Sequence, residues 1–283
     1  MRCFFVIALL LPALVSGQTS LWRISDGNNQ LYIGGTVHLL SQSDHPFPDE
    51  FEQAFREIDT LVLETDLDAL MKPQAQIDMK ERLTFQNGKT LKNAIRPKTY
   101  RALNRYCKAN GLSLREMNLL KPSMVALTLT LTEMNRLGLA DSGVDQFFLN
   151  KAKSSGKKIT GLEAAETQID ALENMGKGQE DQLILSTLKD LKKAPQFMDG
   201  MKKAWRLGDL DELEKVGLKT LQTEFPQLDR SLLIDRNNAW IPKIKNLLNS
   251  PERELILVGA LHLAGKDGVL AQLQKQGFSV ERY

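Results

Sequence analysis

Leu31-Tyr32-Ile33-Gly34-Gly35-Thr36-Val37-His38, near the start of the chain, and Leu255-Ile256-Leu257-Val258-Gly259-Ala260-Leu261-His262, near its end, are two versions of one pattern. Each is an apolar run, then glycine, then a histidine three residues on. A short apolar run bounded by glycine reads as a strand buried on both faces, as in a parallel sheet. A glycine closing such a strand lets the backbone turn sharply at the sheet edge. The histidine then sits on the loop above that edge. Open α/β sheets bind ligands at the carboxyl ends of their strands. Two histidines delivered from opposite ends of the chain therefore converge if both strands lie in one sheet. The chain holds only three histidines. The third, His45 between Asp44 and Pro46, reads as a loop residue.

The neighbouring sequence supports a sheet. Leu21-Trp22-Arg23-Ile24 and Leu31-Tyr32-Ile33 flank the turn residues Asp26-Gly27-Asn28-Asn29, a hairpin pattern. Residues 49–58 place Phe51, Ala54, Phe55 and Ile58 on one helical face. Thr60-Leu61-Val62-Leu63-Glu64 is then an apolar strand ending in acid, so strand, helix and strand make a parallel βαβ unit. The middle reads as helix at 99–109, 123–137, 168–191 and 195–221, with a break near Gly176 to Gly178. Ser142-Gly143-Val144-Asp145 opens another helix, and 157–162 is a short strand with Glu163 directly after it. Residues 228–248 are helical, and the chain ends with strand 255–259, a helix near 267–276 and a last strand at 278–281. The expected fold is α/β: a mostly parallel central sheet built from both chain ends, with a large helical insertion, about 67–250, forming a cleft.

Bulk properties narrow the class. Met1-Arg2, the apolar run from Cys3 to Val15 and the small residues Val15-Ser16-Gly17 read as a secretory signal peptide over 1–17. The run is short for a membrane span, so no stable span is expected after cleavage and the mature protein is expected in the periplasm or secreted; a retained N-terminal anchor is the alternative. Residues 18–283 read as a single domain, because no Pro/Gly/Ser-rich linker interrupts them. Cys107 is then the one remaining cysteine; it reads as a packed helix residue rather than a nucleophile. A net charge of +2 with dispersed lysines gives no basic patch for nucleic acid. Gly34-Gly35 is no phosphate loop, since no Lys-Ser/Thr follows. Trp205 and Trp240 read as core residues at helical spacing.

The chemistry-bearing residues at predicted strand ends are His38, Glu64 and His262, with Glu163 as a second carboxylate. Two imidazoles and a carboxylate suit several divalent metals, with manganese, cobalt and zinc all compatible, and leave a position open for water. The metal would lower the pKa of that water and polarise a carbonyl, with Glu163 as general base. Without metal, a glutamate can activate water while a histidine protonates the leaving group.

At these residues the chain resembles the TraB/GumN family, whose animal relatives include the Tiki-type proteases. The resemblance covers nearly the whole mature chain. It runs through Gly34-Gly35-Thr36-Val37-His38, Leu61-Val62-Leu63-Glu64-Thr65-Asp66, Ser142-Gly143-Val144-Asp145 and Gly161-Leu162-Glu163 with Glu166 and Gln168 behind it. It continues through Trp205-Arg206-Leu207-Gly208-Asp209, Arg236-Asn237-Asn238-Ala239-Trp240 and Val258 to Gly265, ending at Gly277-Phe278. Ala164 departs from the threonine the family often places after the Glu163 position. Six or more blocks in the right order make the resemblance specific. It implies a fold shared with erythromycin-esterase-like and haem-binding relatives. It implies a site of His38, Glu64 and His262, then Glu163, Arg236 and Asn237, and a metal-dependent peptidase activity as proposed for the Tiki branch. Arg236 would bind a substrate carboxylate or stabilise an oxyanion, and Asp145 would orient a histidine. The expected function is an exported hydrolase acting on peptides or small molecules, with a divalent metal. The alternatives are a metal-free Glu/His hydrolase of the esterase type and a non-catalytic protein binding a peptide signal or haem. Oligomeric state is not legible.

Overall fold

The computed structural model describes residues 19–283; the signal peptide read over 1–17 lies outside them. β1 (Leu21–Ser25) and β2 (Gln30–Thr36) form the expected antiparallel hairpin, with Ser25 opposite Gln30. β3 is the two-residue strand Leu39–Leu40, β4 is Thr60–Thr65, β5 is Asp141–Ser142 and β6 is Lys158–Glu163. β7 is Glu254–Gly259 and β8 is Ser279–Arg282. Six of these make one sheet in the order β6-β4-β7-β2-β1-β8, while β3 and β5 pair separately.

β6, β4, β7 and β2 run parallel, so Glu163, Thr65, Gly259 and Thr36 all reach the same edge. β1 and β8 are antiparallel additions at one side. The fold is therefore the expected mostly parallel α/β sheet with β2 and β7, from opposite chain ends, adjacent at its centre. Leu255 to Val258 of β7 are all apolar because both faces are covered. Leu255 and Leu257 pack with Phe51, Phe148 and Trp205 on one face; Ile256 and Val258 pack with Trp240, Ile244 and Leu270 on the other. The strand's two-residue period sorts its side chains between two cores.

The helical insertion has a core of its own, which includes Leu103, Cys107, Val125, Leu129, Ile184 and Leu188. Its helices Pro73–Leu83, Pro97–Ala109 and Pro122–Arg136 each start on proline, where the missing N–H costs nothing. Cys107 is buried in this core, as a packed helix residue should be. The segment read as one helix over 195–221 is divided: the helix Ala194–Leu207 ends at Gly208, whose φ is +60°. Left-handed backbone favours glycine there, and an added Cβ would lie 2.2 Å from the Thr19 carbonyl oxygen. Among the described residues no helix is long and apolar enough to cross a membrane.

Two glycine roles differ from the sequence reading. Gly34 and Gly35 do not close β2; the strand runs on through Thr36. Gly34 is needed for space, since a Cβ there would lie 2.7 Å from the Phe51 ring. Gly143 is tighter still. Its Cβ would lie 2.1 Å from the Val37 carbonyl oxygen, because the Gly143 N–H donates to the His38 carbonyl at 3.1 Å. This contact fixes the loop after β2 against the start of the helix Val144–Ser155.

Gly143→Ala should cost roughly 2 kcal/mol or more, since backbone rather than a side-chain tip must move. The check is the urea midpoint; an unchanged midpoint would contradict this packing.

Candidate functional site

The four parallel strands deliver the site. Glu64 is the penultimate residue of β4, and Glu163 is the last residue of β6 rather than part of the following helix. His38 follows β2, and His262 ends the short turn Ala260–His262 after β7. Arg236 and Asn237 come from the helix Asp235–Leu247, which follows a π-helical turn at Arg230–Ile234. Such turns often occur at functional sites.

Arg236 lies at the centre. A guanidinium has five N–H donors, and all five are used. Nε donates to Glu163 at 3.1 Å; Nη2 donates to Glu64 Oε2 at 2.5 Å and to Glu163 Oε1 at 2.6 Å. Nη1 donates to the Leu232 carbonyl at 3.0 Å and faces His262 Nε2 at 3.2 Å. The guanidinium also stacks on the Trp240 ring, 4.8 Å from its centroid. Trp240 Nε1 donates to Glu163 Oε2 at 3.0 Å, so this fully buried residue supports the site as well as the core. The oxyanion or carboxylate role drawn for Arg236 from the sequence has no spare N–H to serve it.

The neighbours of His262 fix its tautomer. Asn237 Nδ2 donates to the carbonyls of Asp267 (2.9 Å) and His262 (3.3 Å), leaving Oδ1 as acceptor. Oδ1 lies 2.6 Å from His262 Nδ1, which must carry the proton. Nε2 then presents a lone pair to Arg236. Burial, with Arg236 and His38 adding positive charge nearby, pushes His262 down to about 4 against the attraction of Glu64. It is a neutral ring with 4% of its surface exposed. Asn237 thus orients His262 and does not itself reach the cleft.

His38 is the opposite case. Its Nδ1 donates to Asp145 Oδ2 at 3.1 Å, in the orienting role expected for Asp145. Surrounding protein disfavours the charged ring, but Asp145 and then Glu64 outweigh it and raise His38 to about 9. The ring is 62% exposed, so solvent screens these pairs. Glu64 is held down to about 2: burial would raise it, but His262, Arg236 and His38 oppose this, and the Gly259 N–H donates to Oε1 at 2.7 Å. A side chain at position 259 would crowd this bond, its Cβ falling 3.3 Å from Oε1 and 3.7 Å from His38 Nε2.

These groups border a cleft of about 590 Å³ between the sheet edge and the helical insertion. His38, Glu64, Asp145 and Arg236 line it, with Leu39, Leu63, Leu67, Leu172, Leu232 and Leu257. Thr36 and Gln168 line it too, and the residue-level reading gave neither a role; the buried Thr36 hydroxyl has no protein partner. Glu163 lies behind Arg236 in a second recess of about 470 Å³. His45 stacks on Phe47 outside the site, as its loop reading implied.

The donor types suit a divalent metal, but their arrangement does not. Arg236 holds Glu64 Oε2 and faces the His262 lone pair, and His262 Nε2 stands 3.8 Å from Glu64 Oε1. Among the described residues no group of three or more His, Cys, Asp or Glu is placed to hold a metal ion.

A family model described as "TraB/PrgY/gumN family" matches residues 20–282. The chain is also similar to "Uncharacterized protein YbaP" of Escherichia coli (strain K12), at 28% identity over 268 residues, covering 92% of this chain and 95% of the relative. The protein of the same name from Shigella flexneri gives the same figures. No solved structure matches the chain.

Acid should destabilise the protein through His262. Its folded value (about 4) lies below its ordinary 6.5, so the unfolded chain binds more protons between those limits. Stability then falls by on the order of 3 kcal/mol as pH drops through that window. Glu64, also depressed, adds to the loss as pH falls from 4.5 towards 2. His38 acts oppositely: its contribution is complete below 6.5 and lost as pH rises through about 9. Urea midpoints against pH should peak near neutrality, with the acid limb flattened in His262→Gln. An acid limb as steep in that variant as in the parent would contradict the assignment.

Proposed function

Because the chain belongs to the TraB/PrgY/gumN family and its two glycine-histidine motifs converge at one sheet edge, we propose that it is an exported hydrolase using His38 and Glu64 without a metal. The observation that carries this reading is the His38–Asp145 pair beside Glu64 in an open cleft. Asp145 fixes Nδ1, which leaves His38 Nε2 to act. The six leucines along the cleft suit an apolar group of a peptide or ester substrate.

Glu64 lines the same cleft as His38, and a water can be held between them. In the reaction, that water adds to the substrate carbonyl carbon while Glu64 takes its proton. Charged His38 then gives its Nε2 proton to the leaving nitrogen or oxygen as the bond to carbon breaks. Glu64 is a weak base at so low a pKa, so positioning must supply much of the rate. Arg236 keeps Glu64 aimed at the cleft, and Glu163 and His262 keep Arg236 in place.

One observation favours a second reading, a peptidase with manganese, cobalt or zinc between His38, Glu64 and His262. Each ring has its Nδ1 fixed by another side chain, an outer arrangement common around metal histidines. That reading requires Arg236 to leave Glu64 and His262 first.

A panel of chromogenic peptides and esters tests the proposal. His38→Ala and Glu64→Gln should each lower kcat/KM by about 10²–10⁴-fold. A chelator should leave the parent rate unchanged. Charged His38 is the acid, so activity is lost as pH rises through about 9, and Asp145→Asn should move that limb towards 6.5. Reversible loss of turnover on chelation would overturn the proposal in favour of the metal peptidase.

A further inference from the structure

Thr36 ends β2 with a hydroxyl that the fold does not use. The residue is 2% exposed, and Oγ1 has no hydrogen-bond partner among the described residues. Burying a hydroxyl without a partner costs stability. Valine has nearly the same shape, suits a strand as well and carries no such cost, so the strand gains nothing from the hydroxyl. The cleft offers a use for it. Thr36 lines the cleft together with His38 and Glu64. The register places it more closely. Thr36 pairs with Gly259 across β2 and β7, and residues paired in this way project to one face from strands about 5 Å apart. A Cβ on Gly259 would lie 3.3 Å from Glu64 Oε1 and 3.7 Å from His38 Nε2. The Thr36 side chain therefore stands beside the space between the proposed base and the proposed acid.

Addition of water turns the substrate carbonyl oxygen into an oxyanion, which needs a hydrogen-bond donor. Arg236 has none to spare. Thr65, the other threonine lining the cleft, donates to the Glu163 carbonyl at 3.2 Å. Gln168 Nε2 faces Glu64 Oε2 at 3.5 Å. We propose that Thr36 is a catalytic residue whose hydroxyl donates to the oxyanion formed as water adds to the carbonyl carbon. The inference rests on the metal-free hydrolase reading. Thr36 keeps its hydrogen throughout. The C=O electron pair settles on oxygen as the water bonds to carbon, and it returns as the leaving group departs with the His38 proton. Rotation about the Cα–Cβ bond exchanges methyl and hydroxyl and brings Oγ1 to the cleft without backbone movement. A neutral carbonyl oxygen gains less from the bond than an oxyanion does, so the hydroxyl acts on the chemical step more than on binding.

The parent, Thr36→Val and Thr36→Ser are compared on the chromogenic peptides and esters and by their urea midpoints. Thr36→Val should lower kcat by about 10²-fold and leave KM within roughly threefold of the parent's. Thr36→Ser keeps a hydroxyl and should recover most of the rate. The urea midpoint of Thr36→Val should equal or exceed the parent's, because no bond within the fold is lost. A purely structural residue would instead lower midpoint and rate together. A Thr36→Val chain as fast as the parent, or one slowed through KM alone, overturns the inference and leaves the hydrolase standing. A lowered midpoint for Thr36→Val means that the fold itself uses the hydroxyl, and overturns the inference in the same way. A parent that turns over no member of the panel removes the hydrolase reading, and the inference falls with it.

Discussion

The guanidinium of Arg236, with each of its five N–H groups on an acceptor, is the contact on which the site depends. The sheet creates the need for it. β4 and β6 are parallel neighbours, so Glu64 and Glu163 reach the same edge within one cation's span. Two carboxylates so placed cannot both stay charged in a dry pocket without a counter-ion. The helix Asp235–Leu247 brings that charge, and its packing brings Trp240 against Glu163 and His262. Docking of this helix on the sheet and assembly of the site are therefore one event. A buried pair of this kind contributes little net stability against an apolar alternative, yet breaking one partner costs several kcal/mol. Its value lies in fixing one arrangement.

Matched sequence motifs end in opposite chemical states. His38 and His262 each follow glycine by three residues and a strand by a few. His262 is buried beside a cation and is neutral; His38 is open to the cleft beside Asp145 and is charged. The difference comes from what the rest of the chain packs against each ring: Asn237 and Arg236 on one, the start of the helix Val144–Ser155 on the other. Burial and neighbouring charge, not the motif, divide the labour.

The sheet and the convergence of the two histidines are legible in the sequence because the apolar runs of β7 and β2 are buried on both faces and β4 ends in acid. The hairpin was legible from its Asp-Gly-Asn-Asn turn. Other features were not. That Gly34 serves Phe51 and not a turn depends on a helix seventeen residues away. The break at Gly208 depends on contact with Thr19, distant in sequence. Resemblance alone singles out Arg236, and its commitment to two carboxylates needs the register of β4 against β6, which no local pattern encodes. Trp240 looked like plain core, and it is buried; its indole N–H on Glu163 has no sequence signal. Thr36 lines the cleft only because β2 runs one residue past its second glycine.

The central claim is that Arg236 donates to a neutral His262. Nitrogen-detected NMR of the three histidine side chains at neutral pH reads this directly. The expected spectrum shows a His262 ring protonated on Nδ1 alone, with its Nε2 unprotonated, beside a His38 ring protonated on both nitrogens. A charged His262, or one with its proton on Nε2, would mean that Arg236 does not donate to it and would contradict the account.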